Sequence, residues 1–156
     1  MAMIDTVIGI DPGAKGGIAL IGSNQVTVYP YSDTNLKTVA STYRNNPTVT
    51  AVVEKVHAMP QQGVTSMFSF GRAAGYIDGV LDANGIPTTH VPPQQWKKYF
   101  NLLKQSKVAS IAMAWKLYPD ICLRKSPRCK VDSDGMAEAL LIAHYGYMTM
   151  TREEVV

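Results

Sequence analysis

Val7-Ile8-Gly9-Ile10-Asp11-Pro12-Gly13 is a short apolar run that closes on a carboxylate and a turn, and Val49-Thr50-Ala51-Val52-Val53-Glu54 repeats the pattern. The second run is apolar without alternation, which predicts a strand buried on both faces and paired in parallel. If the two strands lie side by side, Asp11 and Glu54 stand together at their carboxyl ends, where ligands gather in such sheets. A third acidic group, Asp132-Ser133-Asp134-Gly135-Met136-Ala137-Glu138, opens a helix near the C-terminus. Asp134 and Glu138 are four residues apart, so they share a helical face with Cβ atoms about 5–6 Å apart. Acids this close repel, and a bound cation relieves the repulsion. Hard oxygen ligands without a Cys or His quartet suit Mg²⁺ or Mn²⁺ rather than Zn²⁺.

Working outward, three strands are expected over 4–11, 16–22 and 25–31, separated by glycine-containing turns and forming an antiparallel meander. A helix over 35–46 follows, from the helical spacing of Leu36, Val39, Ala40 and Tyr43. After the strand ending at Glu54 come a polar loop, a helix over 64–84 stopped by Gly85, and a short strand over 86–91. Helices over 93–100, 105–117 and 133–150 complete the chain. The order predicts an α/β fold with a mixed five-stranded sheet flanked by helices. One domain over 1–150 and a frayed tail over 151–156 fit a chain of 156 residues with 46% hydrophobic composition.

The formal net charge is only +3, but the segment 94–130 carries nine Lys and Arg residues, including Lys97, Lys98, Lys104 and Lys107, against the single acid Asp120. That excess reads as a surface facing a polyanion. Cys122 and Cys129 lack a second pair that would make a structural zinc site, and reduced thiols in a cytoplasmic setting are expected. The N-terminal apolar run is too short to span a membrane and lacks a basic start and a cleavage site. Trp96, Trp115 and Tyr118 are read as core, because each has apolar neighbours at helical spacing.

Four segments together resemble RuvC-type Holliday-junction resolvases, particularly the small phage-type members. They are Ile8-Gly9-Ile10-Asp11-Pro12-Gly13, Val53-Glu54-Lys55-Val56, Ser69-Phe70-Gly71-Arg72-Ala73-Ala74-Gly75 and Asp134-Gly135-Met136-Ala137-Glu138-Ala139-Leu140-Leu141-Ile142-Ala143. The resemblance runs in order over residues 4–148. It implies a ribonuclease H-like fold, a homodimer, and two Mg²⁺ ions supporting paired incisions in four-way DNA junctions, with Mn²⁺ as a substitute. Asp11 and Glu54 match the first two metal-binding acids. Asp134 and Glu138 are favoured for the others by their register with the Ala-Leu-Leu-Ile-Ala run, which leaves Asp132 as a helix cap or an alternative ligand.

Lys107 resembles a family lysine beside the scissile phosphate. His57 stands where bacterial members have an aromatic that stacks at the junction. His57, Lys97, Lys98, Lys104 and Lys107 are expected to contact DNA. Two other readings compete: an ATP-binding domain of the actin and sugar-kinase type, whose strand and Asp-x-Gly turn are similar, and a non-catalytic nucleic-acid-binding domain of the same fold. The first needs two such domains to enclose a nucleotide, and the second gains nothing from acids facing phosphate.

Overall fold

Val7, Ile8 and Ile10 are each fully buried, so the first strand is covered on both faces, and the architecture follows from what covers it. The computed structural model describes residues 3–56 and 60–151. Its strands are β1 (Thr6–Asp11), β2 (Gly17–Gly22), β3 (Gln25–Pro30), β4 (Val49–Glu54) and β5 (Thr88–Val91). Its helices are α1 (Asp33–Thr42), α2 (Val64–Ala83), α3 (Pro93–Tyr99), α4 (Lys107–Leu117) and α5 (Asp134–Met150). The sheet runs β3-β2-β1-β4-β5. The first three strands form the antiparallel meander, and β4 joins β1 in parallel, as does β5 with β4.

Strand parity divides the core in two. Ile8, Ile10, Ala51 and Val53 face α1 and α2 through Leu36, Val39, Ile77 and Leu81. Val7 and Val52 face α5 and its neighbours α3 and α4. Since side chains alternate along a strand, Asp11 and Glu54 fall on the α5 side. The pairing of Ile10 with Val53 makes Asp11 and Glu54 next-step neighbours across the ladder.

α5 reaches the sheet because small residues let it. A Cβ on Gly9 would lie 2.5 Å from the Ala143 backbone nitrogen, and one on Gly135 would collide with the Lys15 carbonyl. This close approach sets the first turn of α5 against the turn that follows Asp11. The helix is buried nearly all round, from Met136 to Ala143 with Glu138 as the partly exposed exception.

Several boundaries differ from the sequence expectation, each for a local reason. α1 starts two residues earlier because the Ser32 hydroxyl accepts the Asn35 N–H at 3.0 Å. It stops at Thr42, and Asn45 turns to φ 55° and donates its N–H to Asn84 O. β5 begins at Thr88 because the Ile86 N–H is used to close α2 on Leu81 O. Asp132 is not the cap of α5: Ser133 is, its hydroxyl accepting the Met136 N–H at 3.2 Å, while Asp132 pairs with Arg124 at 3.7 Å. Trp115 is 42% exposed rather than core. Among the described residues no helix is long and apolar enough to cross a membrane.

Candidate metal centre

The carboxylates of Asp11, Glu54 and Glu138 each offer one oxygen within 4.8 Å of the others. Strand ends supply the first two, and the second turn of α5 supplies the third. Asp134, one turn earlier, stands outside that trio and pairs with the Lys107 ammonium at 3.1 Å. It still adds its charge to the fields at Asp11 and Glu138.

Burial and crowding leave Asp11, Glu54 and Glu138 holding their protons more tightly than free carboxyls do. Asp11 is raised to about 8, first by desolvation and then by Glu54, Glu138 and Asp134, against a smaller opposing effect of Lys107. Glu54 is raised by burial, opposed by the Trp96 hydrogen bond and Lys97. Glu138 is also raised by burial, with Lys97 and Lys107 opposing and Glu54 and Asp134 reinforcing. Lys107 is raised in turn by its bond to Asp134. Three mutually repelling, half-desolvated carboxylates without a neutralising partner in their midst match a site for a hard divalent cation. The donor set, all oxygen and free of Cys and His, fits Mg²⁺ or Mn²⁺.

Trp96 contributes to this centre although its sequence context reads as plain core. It is fully buried, and its indole N–H donates to Glu54 Oε2 at 2.8 Å. A buried indole needs an acceptor, which is the one sequence signal for such a role; the acceptor lies 42 residues away. The bond fixes one oxygen of Glu54 and so sets the orientation in which its carboxylate approaches Asp11 and Glu138. Lys97 lies 5.5 Å from the Trp96 ring centroid and is close enough to act on both Glu54 and Glu138.

Lys98 and Lys104 are exposed, Lys104 at φ 61° in the loop before α4. His57 lies outside the described residues. The lysines near the acids therefore come from two elements: α3 brings Lys97 and α4 brings Lys107.

Neither a protein-family model nor a curated protein matches the chain. Among solved structures it is similar to Thermus thermophilus RuvC, with 19% identity and a TM-score of 0.58 over 93% of this chain and 97% of that one. A structure of T. thermophilus RuvC in complex with Holliday junction substrate matches at 17% identity and a TM-score of 0.56, over 94% of this chain and 97% of that one. The chain thus has the ribonuclease H-like mixed sheet expected from its sequence and shares its fold with RuvC.

Proposed function

We propose that this chain is a metal-dependent, structure-selective endonuclease that resolves four-way DNA junctions. The observation that carries the reading is the convergence of Asp11, Glu54 and Glu138 within 4.8 Å, with lysines from two helices beside them. Support comes from the fold shared with RuvC, one structure of which holds a Holliday junction substrate. Asp11, Glu54, Glu138 and Asp134 would hold two Mg²⁺ ions, or Mn²⁺ in their place. When bound, such a pair supplies an activated water and stabilises the departing 3′-oxygen of a phosphodiester.

The chain's own side chains do the rest. Trp96 holds Glu54 in one orientation. Lys107 and Lys97 place positive charge beside the acids, where it offsets the charge that builds on the phosphate during cleavage. Lys98 and Lys104 lie farther out on the basic segment and contact the DNA backbone, whose neutralisation releases counterions and makes binding salt-dependent. A junction-resolving role fits the cytoplasm of a bacterium or of a phage-infected cell, and equally an organelle that recombines its own DNA.

The test is a labelled four-way junction and a matched linear duplex, each incubated with Mg²⁺ and with EDTA. Symmetric nicks in the junction, dependent on Mg²⁺ and absent from the duplex, are expected. Equal cutting of both substrates, or cutting in EDTA, would contradict the proposal.

The helix acids should separate cleanly. Asp134→Asn and Glu138→Gln each lower single-turnover cleavage by roughly 10²-fold or more, as loss of a metal-supported contact does. Asp132→Asn, whose carboxylate pairs with Arg124, changes the rate by less than about threefold, in line with a half-exposed ion pair. A silent Asp134→Asn beside a severe Asp132→Asn would reverse this assignment.

Paired incisions call for two centres, and α2 offers the means. Only Ile77 and Leu81 of its 20 residues are buried. Val64 is 85% and Phe68 72% exposed, and a Cβ on Gly71, Gly75 or Gly79 would meet nothing within 4 Å. These positions fall along one helical stripe, an apolar surface of small residues suited to an isologous helix pair. Sedimentation is expected to give twice the 17.0 kDa chain mass for the wild type and a single chain for Phe68→Glu. A wild type that stays a single chain even on junction DNA would defeat the homodimer.

A further inference from the structure

A cleft of about 600 Å³ opens between α2 and the segment joining β3 to α1, at the sheet end that carries the candidate metal centre but on the α2 side, across from the face on which Asp11 and Glu54 project. Its floor begins at Gly13, two residues beyond Asp11 and so within about 7 Å of it along the chain. Gly13 has φ +112°, a conformation that glycine adopts readily. One wall carries Tyr31, Ser32 and Asp33, and the facing wall carries Ser69, Arg72 and Tyr76, so the single acid and the single cation of the lining sit on opposite walls. Positions 69, 72 and 76 share a face of α2 that borders the glycine stripe along Arg72.

The chemistry of this lining is that of a nucleotide subsite. Tyr31 and Tyr76 are half-buried and anchored in the core beneath, so their rings are held in place. The Tyr31 hydroxyl is already committed, donating to Asp33 Oδ1 at 3.1 Å; what it offers a ligand is its ring. Arg72 is exposed and forms no ion pair among the described residues, leaving a guanidinium free for phosphate. The volume is in the range of ordinary ligand sites. Lys107 and Asp134 flank Asp11 from α4 and α5, whereas the cleft is built from α2 and the segment before α1, so a strand with its phosphate at the acids meets different elements on its two sides.

We propose that the cleft holds one unpaired nucleotide next to the scissile phosphate, with its base against Tyr76 and its phosphate on Arg72. The assignment rests on the endonuclease reading above and extends it: a base pair opens at lower cost at a branch point, where stacking is interrupted, than within a continuous duplex, so the cleft selects for branched DNA. Aromatic stacking accepts any base, and the subsite discriminates structure more than sequence.

The experiment uses the full chain and a four-way junction whose nick has been mapped, intact or with an abasic residue at the nucleotide on either side of the nick. Dissociation constants are measured in EDTA and single-turnover rates in Mg²⁺. The wild type should bind one of the abasic junctions about tenfold more weakly than the intact one. Tyr76→Leu should lose about tenfold on the intact junction and nothing further on that abasic one, with Tyr76→Phe retaining wild-type binding. Arg72→Gln should weaken intact and abasic junctions alike, because both keep the phosphate. A wild type that cuts the junction in Mg²⁺ but binds all three junctions equally would overturn the cleft assignment alone. Equal losses for Tyr76→Leu on every junction would do the same. A wild type that cuts no branched DNA would remove the endonuclease reading and the cleft assignment with it.

Discussion

Asp11→Asn should abolish Mg²⁺-dependent cleavage, by roughly 10³-fold or more, and at the same time make the metal-free protein more stable. The activity loss follows from position: Asp11 is the one acid whose field includes all the others, and metal support of this chemistry is worth several kcal/mol. The stability gain follows from linkage. The carboxyl binds its proton near 3.8 in the unfolded chain and near 8 when folded, so between those values the folded state holds more protons. The stability carried by the neutral carboxyl is fully present below the unfolded value and is lost as pH rises through the folded one.

Asparagine copies the neutral acid at every pH. In EDTA at pH 8 the variant should therefore exceed the wild type by on the order of 2–4 kcal/mol, or about 5–10 °C in Tm for a chain of this size. The gap should narrow toward pH 5. Divalent metal should stabilise the wild type and leave the variant nearly unmoved. A variant less stable than the wild type at pH 8 in EDTA would show that Asp11 is not held against its charge, and the crowding of the acids would lose its meaning.

The second large effect belongs to Trp96. Its indole N–H is the donor that fixes Glu54 Oε2, and removing a hydrogen bond that orients a metal ligand typically costs about 10–100-fold in metal affinity or activity. Trp96→Phe should weaken Mn²⁺ binding by about tenfold, measured by calorimetry, with a parallel loss in cleavage at subsaturating metal. The substitution keeps most of the apolar surface, although the smaller ring leaves a gap and Tm should fall as well.

Packing loss alone is separated by a double-mutant cycle. In a Glu54→Gln background, Trp96→Phe should still lower Tm but should no longer change Mn²⁺ affinity. Unchanged Mn²⁺ affinity in the single variant would reduce Trp96 to a core residue.

How much of this was legible in the sequence can be judged residue by residue. The apolar runs ending at Asp11 and Glu54 determine strand position, burial and parallel pairing, because an unbroken apolar strand must be covered on both sides. The Ala-Leu-Leu-Ile-Ala run of α5 carries comparable information, since a helix apolar nearly all round has to be buried. Caps are harder to read. Asp132 and Ser133 are both good cap residues, and the choice depends on Arg124 drawing Asp132 away.

Trp115 is exposed although its spacing reads as core, because helical spacing tells which face a residue shares, not whether a neighbour covers that face. The Trp96–Glu54 bond and the cleft of Tyr31, Arg72 and Tyr76 join residues far apart in sequence. No periodicity reports such contacts; only the assembled sheet and helices bring them together.

Every expected loss of cleavage above requires that carboxylates from β1, β4 and α5 form a single divalent-metal centre. Anomalous diffraction from crystals soaked in Mn²⁺ tests it most directly. Density is expected between Asp11, Glu54 and Glu138, with manganese within about 2.5 Å of carboxylate oxygens from all three. A soak that places manganese elsewhere on the protein, and none among these three side chains, would contradict it.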